Sequence, residues 1–261
     1  MLGAIIGDTA GSRFEWQNHK SKEFELLTDT CSLTDDSVMT LAIAKAILSS
    51  KEDRSDLAAL AIRYMQQLGR LYPYAGYGGS FARWLKSLNP KPYNSYGNGA
   101  AMRVSPCGFA AKSMDDARKM ARAVTTVTHN HPESIKAAEA VAAAIFMART
   151  GCSIPEIRDY IEKNYYRINF TLDDIRESYS FDVSCQGSVP QAFASFFEST
   201  GFEDAIRNAV SIGGDSDTIA AIAGGMAEAY YGIPAELRKR EAAFMDNTQL
   251  EILNAFEARY A

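Results

Sequence analysis

Apolar residues recur along most of this chain at the spacing of a helix face. Positions i, i+3, i+4 and i+7 of one amphipathic segment are occupied by Leu57, Leu60, Ala61, Tyr64 and Leu68. The Ala-rich run 132–149 begins with a proline and is followed by Gly151, a typical start and stop for a helix. Alternating strand-like runs are rare and short. The pattern predicts an all-α fold.

Capping residues, prolines and glycines mark further helices. Thr34 is a suitable N-cap for the run that follows it, and Ser113 with Asp116 resembles a capping box ahead of another helix. The other predicted helices cover residues 153–165, 190–198, 203–210, 218–231, 234–243 and 249–260. In this interpretation Pro190 restarts a helix.

Two stretches interrupt the helical pattern, Leu71–Arg103 and Tyr165–Pro190. The first is rich in Gly, Tyr, Pro and Asn, and a loop of that length inside a compact domain usually has a function. No tandem repeat, low-complexity tract or linker divides the chain. We therefore expect one compact domain over residues 1–261.

Composition narrows the class of protein. The 261 residues are 47% hydrophobic and 23% charged, which is ordinary for a globular protein. A net charge of −5 without a basic run argues against nucleic-acid binding. The N-terminus does not resemble a signal peptide, no apolar run reaches the ~20 residues of a membrane span, and the four cysteines form no CxxC pair. These features predict a cytoplasmic protein with free thiols, away from membranes and monomeric by default.

Two short acidic clusters are the strongest candidates for chemistry, Thr34-Asp35-Asp36 and Asp215-Ser216-Asp217-Thr218. Each precedes a very apolar helix, so each alone can be explained as a helix cap. Four carboxylates gathered in an interior need cations to neutralise them. Oxygen ligands without Cys or His suit Mg²⁺ or Mn²⁺ better than Zn²⁺. The pair of clusters therefore favours a two-metal hydrolase, with Gly213 and Gly214 allowing the turn that aims the second cluster inward.

Other residues have weaker signals. Glu15 can be a metal ligand, a base or a surface ion-pair partner, and Asp8 is expected to support helix packing near the site. His129 can donate to a phosphate or ribose, or can simply be held at a helix start. His19 and His131 are expected at the surface. Four tyrosines of the loop segment could stack a base or pack locally: Tyr72, Tyr74, Tyr77 and Tyr96.

Six segments together resemble the ADP-ribosylglycohydrolase family, typified by the dinitrogenase reductase-activating glycohydrolase. They occur in family order between Gly3 and Pro234: GAIIGDTAGSRFE, LTDDSVMTLAIA, AGYGGSF, NSYGNGAAMRVSP, Thr128-His129 and IGGDSDTIAAIAGGMAEAYYG. The resemblance implies an all-α, orthogonal multi-helix fold with two Mg²⁺ or Mn²⁺ ions in a central cleft. It also implies cleavage of the bond between ADP-ribose and a protein side chain or small adduct.

Residue roles follow from the same resemblance. Thr34, Asp35 and Asp36 match the ligands of one ion. Asp217 matches a carboxylate that bridges both ions, and Asp215 and Thr218 match ligands of the second. Glu15 matches a mobile acidic residue. Ser95, Tyr96, Gly97 and Asn98 match a loop that cradles the diphosphate and distal ribose, with Met102 and Arg103 as supporting structure and His129 near the diphosphate.

The chemistry expected of such a site is attack of a metal-bound water on the anomeric carbon of the ribose. Glu15 or Asp35 is the expected proton acceptor. Two other interpretations remain open. One is a dinuclear-metal hydrolase of another nucleoside-diphosphate compound, and the other is a non-catalytic protein that binds ADP-ribose.

Overall fold

Helices form nearly all the regular structure of residues 1–260, the part of the chain that the computed structural model describes. In chain order the α-helices are α1 (Leu2–Gly11), α2 (Asp35–Ser49), α3 (Leu57–Leu71), α4 (Gly79–Lys86), α5 (Ser105–Ala110), α6 (Met114–Thr125), α7 (Pro132–Arg149), α8 (Ile154–Asn164), α9 (Leu172–Ile175), α10 (Cys185–Phe197), α11 (Phe202–Ser211), α12 (Ser216–Tyr231), α13 (Ala235–Glu241) and α14 (Asn247–Tyr260). Short 3₁₀ turns cover Ser12–Phe14, Asn98–Ala100 and Ala242–Phe244. Within residues 1–260 the β pairing is limited to one isolated bridge between Gly97 and Ser184. The all-α prediction is confirmed.

Several helix starts are the ones that the capping residues predict. The Thr34 side chain accepts the Asp36 N–H at 3.3 Å at the start of α2. The Ser113 side chain accepts the Asp116 N–H at 3.1 Å at the start of α6. Helix α7 has the predicted bounds, and Gly151 beyond its end has a φ of +89°. Short polar side chains therefore satisfy free N–H groups at these helix ends.

Several elements differ from the sequence prediction, including α5 and α9, which lie where no helix is predicted. Pro190 lies inside α10 and does not start it, because the helix begins five residues earlier, behind the N-cap Ser184. A proline in the second turn removes only one backbone hydrogen bond, so the helix tolerates it. The predicted long loop Leu71–Arg103 contains α4, which buries Phe81, Trp84 and Leu85. Helix α1 is not predicted from the sequence, because all its residues are buried and it has no polar face to reveal a period.

Helices α1 and α12 pack with their backbones nearly in contact. Gly3, Gly7 and Gly11 recur every four residues on the face of α1 that meets α12. A Cβ at Gly7 would lie 2.0 Å from the Ala220 carbonyl oxygen, and one at Gly224 would lie 2.2 Å from that of Gly3. Only glycine allows this approach. The packing holds Asp8 of α1 beside the first turn of α12.

A single cluster of buried apolar side chains connects helices from both ends of the chain. It includes Ile5 of α1, Ile43 of α2, Val141 of α7, Phe193 of α10 and Leu253 of α14. Among residues 1–260, no helix combines the length and the apolar character needed to cross a membrane. The fold thus places the first turns of α2 and α12 against α1 inside a common core.

Candidate active site

Carboxylates from three helices meet where α2 and α12 begin. Oxygen atoms of Asp8, Asp36 and Asp217 lie within 4.8 Å of one another, and all three residues are buried. A second group with the same spacing contains Glu15, Asp215 and Asp217. Asp217 belongs to both groups, so it is placed where a carboxylate could bridge two cations.

Asp8 has a larger role than the sequence analysis gave it. Its carboxylate accepts the backbone N–H groups of Thr34 at 2.9 Å and of Ser37 at 3.0 Å. The Thr34 hydroxyl donates to it at 2.7 Å, and the Ser37 hydroxyl also donates to it. Asp8 therefore fixes the start of α2, as the expected support of helix packing, and also joins the carboxylate group. A lone acid in a wholly apolar segment is the signal that could have revealed this second role.

Asp36 is 2% exposed and only half satisfied by hydrogen bonds. Its Oδ2 accepts from the Thr218 hydroxyl at 3.2 Å, and the Thr34 hydroxyl oxygen lies 3.4 Å from it. Its Oδ1 is buried without a hydrogen-bond partner in the described part of the chain. The two threonines predicted as ligands are thus beside this carboxylate, and one of its oxygens is free to bind a cation.

The Gly213-Gly214 turn orients Asp215, as the sequence predicts. Both glycines have positive φ, +68° and +78°, and the Gly214 N–H donates to Asn18 Oδ1 at 2.8 Å. Asp215 then accepts from Asn98 Nδ2 at 2.6 Å. That bond joins the carboxylate groups to the loop Ser95–Asn98. The four predicted aspartates, however, are not equivalent, because Asp35 belongs to neither carboxylate group and lines the adjoining cavity.

Burial raises the pKa of these carboxyl groups, and their mutual repulsion adds to the effect. The pKa rises to about 6 for Asp8, about 7 for Glu15 and about 8 for Asp35. Burial, followed by the neighbouring carboxylates, also raises the pKa of Asp36 and Asp217 well above the usual range. The groups are unstable as anions without counter-charge. Oxygen-only ligands, two overlapping groups and the unpartnered Asp36 oxygen fit hard divalent cations such as Mg²⁺ or Mn²⁺.

A cavity of about 490 Å³ opens beside the carboxylates. The predicted substrate residues Ser95, Gly97, Asn98 and His129 lie in its wall. Tyr96 does not, because its side chain is 54% exposed and its ring meets the edge of His131 at 5.6 Å between centroids. The volume is in the range of pockets that enclose a small ligand.

The aromatic residues of the cavity differ from the four tyrosines named above. Tyr74 is 97% exposed, Tyr72 donates to Asp246 at 2.7 Å, and neither they nor Tyr77 are among the lining residues. The lining aromatics come from three separate parts of the chain: Trp16, Phe81, Tyr93 and Phe181. Trp16 and Phe181 stack at 5.0 Å between ring centroids at the open side. Sequence spacing gives no sign of this pairing, because 165 positions separate the two residues along the chain and only the fold brings them together.

The three histidines divide as follows. His129 is buried in the cavity wall, where burial and then Arg103 lower its pKa well below the usual value. His131 is partly buried, and its ring caps α7 by accepting the Glu133 N–H at 3.1 Å. His19 is also partly buried, between Phe14 and Phe24, so both rings are only partly exposed at the surface.

Comparison with known proteins agrees with this all-helical fold. The family model for ADP-ribosylglycohydrolase matches residues 1–259, and the chain belongs to that family. It is 27% identical to ADP-ribosylhydrolase ARH3 of Mus musculus, over 89% of this chain and 83% of that protein. It is 25% identical to ADP-ribosylarginine hydrolase Tri1 of Pseudomonas putida, over 89% and 70% of the two chains. A solved structure described as an ADP-ribosylglycohydrolase-related protein complex shares the fold, with a TM-score of 0.71, 23% identity and 99% and 94% coverage.

Proposed function

We propose that this protein hydrolyses the bond between ADP-ribose and a protein side chain or small adduct. The observation that carries the proposal is the meeting of two carboxylate groups, which share Asp217, with a cavity large enough for part of a nucleotide. Membership of the ADP-ribosylglycohydrolase family supports the reaction class, and the names of the mouse and Pseudomonas relatives support an ADP-ribosylated substrate. The contiguous core supports a single domain over residues 1–261.

Two Mg²⁺ or Mn²⁺ ions are the cofactors that the donor set favours. Asp8, Asp36 and Asp217 would hold one ion, and Glu15, Asp215 and Asp217 would hold the other. The Thr34 and Thr218 hydroxyls lie beside the first group, 3.4 Å and 3.2 Å from Asp36 Oδ2. When bound, such ions supply positive charge that polarises a water and the ribose hydroxyls.

The protein's own residues bind and orient the substrate in this scheme. Asn98 is the residue of the loop Ser95–Asn98 that hydrogen-bonds to the carboxylates, so it can align the ribose with the diphosphate. Two carboxylates at the cavity are candidates for the proton acceptor. Glu15 is half-buried at the edge of the second group, and Asp35 lines the cavity outside both groups. A base must be within hydrogen-bond reach of the attacking water, and both side chains line the cavity in which that water would bind.

The test is release of ADP-ribose from ADP-ribosyl-arginine and ADP-ribosyl-serine peptides, with Mg²⁺, with Mn²⁺ and with EDTA. We expect metal-dependent release that is lost in Asp36→Asn and Asp217→Asn. Glu15→Gln and Asp35→Asn separate the two candidate bases, since loss of the base lowers kcat by about 10²-fold or more while substrate binding persists.

Asp159→Asn is the matched control, because Asp159 is an exposed acid far from the cavity. Tight binding of ADP-ribose without turnover of either peptide would contradict hydrolysis and favour a binding protein. Turnover of other nucleoside-diphosphate compounds but of neither peptide would favour the alternative two-metal hydrolase.

A further inference from the structure

Arg103 is a buried cation without an anionic partner. The residue is 1% exposed, borders the cavity, and makes no salt bridge to any carboxylate within residues 1–260. Its Nε–H is buried without a hydrogen-bond partner in the same residues. Its guanidinium lies 5.6 Å from the ring centroid of Phe81. Since burying an unpaired charge is costly, the position calls for a ligand that brings negative charge.

The same guanidinium favours one position for the proton on the neutral His129 ring. Arg103 Nη2 donates to Thr128 Oγ1 at 2.6 Å and lies 3.3 Å from His129 Nδ1. An arginine can only donate, so its approach to Nδ1 favours the tautomer in which Nδ1 presents its lone pair. The neutral ring then carries its proton on Nε2. The nearby positive charge and the burial both lower the pKa of His129, which keeps the ring neutral.

The Nε2 atom of His129 faces the 3₁₀ turn Asn98–Ala100. A Cβ at Gly99 would lie 3.5 Å from Nε2, and one at Gly97 would lie 3.7 Å from it. Both glycines line the cavity. The ring therefore directs an N–H donor at a glycine-lined part of the wall where a ligand can approach closely.

We propose that Arg103 is a positioning residue that holds His129 as an Nε2–H donor and supplies the fixed positive charge behind an anion subsite at Gly97–Gly99. Resting on the proposed function, the anion is the diphosphate of ADP-ribose. Arg103 acts through His129 and through its charge, so it is more than the supporting structure that the sequence suggests. Thr128 completes the arrangement, because its hydroxyl lies 2.7 Å from Nδ1 and accepts from Arg103.

The first test reads the tautomer directly, by ¹⁵N NMR of the imidazole rings in the metal-free protein without ligand. The chain has three histidines, and His129→Gln identifies the signal of His129. We expect nitrogen shifts of a neutral Nε2–H ring in the wild type. An Nδ1–H or a protonated ring at neutral pH would overturn the proposal without need of any arginine variant.

The second test measures ADP-ribose binding by calorimetry in Arg103→Met and Arg103→Lys. Loss of the fixed positive charge and of the oriented His129 Nε2–H predicts a Kd higher by about 10- to 100-fold in Arg103→Met. We expect Arg103→Lys, which keeps the charge but loses the fork geometry, to bind at an intermediate level and to show a mixed tautomer. Arg149→Met is the control, because Arg149 bonds the Ala111 carbonyl away from the cavity.

The outcomes separate this inference from the function on which it rests. Failure of the wild type to bind ADP-ribose contradicts the proposed function, whereas the NMR spectrum still decides the tautomer. Wild-type affinity in a folded Arg103→Met overturns the charge role of Arg103. If Arg103→Met does not fold, the wild-type spectrum tests the His129 tautomer and the Arg103→Lys affinity tests the role of Arg103. Wild-type affinity in Arg103→Lys would then overturn the role of the guanidinium geometry.

Discussion

Replacing Asp36 by asparagine should make the metal-free protein more stable while abolishing its activity. Asp36 has two carboxylate neighbours, Asp8 and Asp217, with oxygen atoms within 4.8 Å. An asparagine of nearly the same shape removes one charge and adds an N–H₂ donor that those neighbours can accept. The substitution therefore relieves repulsion without opening a cavity.

The magnitude follows from the distance and the cost of protonation. At 4.8 Å and an effective dielectric constant of about 20, two ionised carboxylates repel by about 3.5 kcal/mol. Two such neighbours give about 7 kcal/mol, whereas protonating a carboxyl of ordinary pKa 3.8 at pH 8 costs about 6 kcal/mol. Because Asp36 can be protonated at that cost, the repulsion can destabilise the folded state by no more than about 6 kcal/mol. We expect Asp36→Asn to gain about half of it, about 3 kcal/mol, because water entering the cavity screens the charges.

The assay is urea unfolding in EDTA between pH 4 and pH 8, repeated with Mg²⁺. The folded-state pKa values of Asp8, Glu15 and Asp35 lie above their unfolded values, at about 6, 7 and 8. The folded state then binds more protons, so wild-type stability in EDTA falls as pH rises through this range. The advantage of Asp36→Asn should grow with pH, vanish near pH 4 and reverse when Mg²⁺ stabilises the wild type. A variant less stable than the wild type in EDTA at pH 8, or an equal gain in Asp159→Asn, would refute the electrostatic argument.

Three further substitutions test how the fold supports the site. Gly7→Ala places a Cβ 2.0 Å from the Ala220 carbonyl and should cost about 3 kcal/mol in urea unfolding, while Gly201→Ala, with nothing within 4 Å, should change little. Asn18→Ala removes the hydrogen bond that holds the Gly214 N–H next to Asp215, so we expect weaker Mn²⁺ binding, measured by electron paramagnetic resonance. An unchanged Mn²⁺ affinity would show that this hydrogen bond does not position Asp215. Asn98→Ala leaves Asp215 without its 2.6 Å partner, so kcat/KM should fall by about 10-fold or more, and a wild-type value would exclude an aligning role.

The sequence predicted the parts of this site that lie at helix starts. Thr34, Asp36, Asp217 and Thr218 are local signals, because a polar run before an apolar helix is visible without knowledge of the fold. Residues that depend on helix packing were missed or underrated. Asp8 joins the carboxylates only because the glycines of α1 allow it to approach α12, and Arg103 is unpaired only because the fold buries it. Such facts follow from three-dimensional contacts that no spacing along the chain encodes.

The electrostatics of the site also explain why bound cations would stabilise the folded state at neutral pH. Helices α2 and α12 both direct their positive N-terminal ends at Asp36 and Asp217, which favours negative charge there. Each helix end contributes about 0.3–1 kcal/mol, far less than the repulsion of about 3.5 kcal/mol between one carboxylate pair. The hydrogen bonds to Asp8 are already formed and leave Asp36 Oδ1 without a partner. Helix ends and hydrogen bonds therefore cannot balance these carboxylates, and the same groups that destabilise the metal-free protein are the ones that would bind its metal ions most strongly.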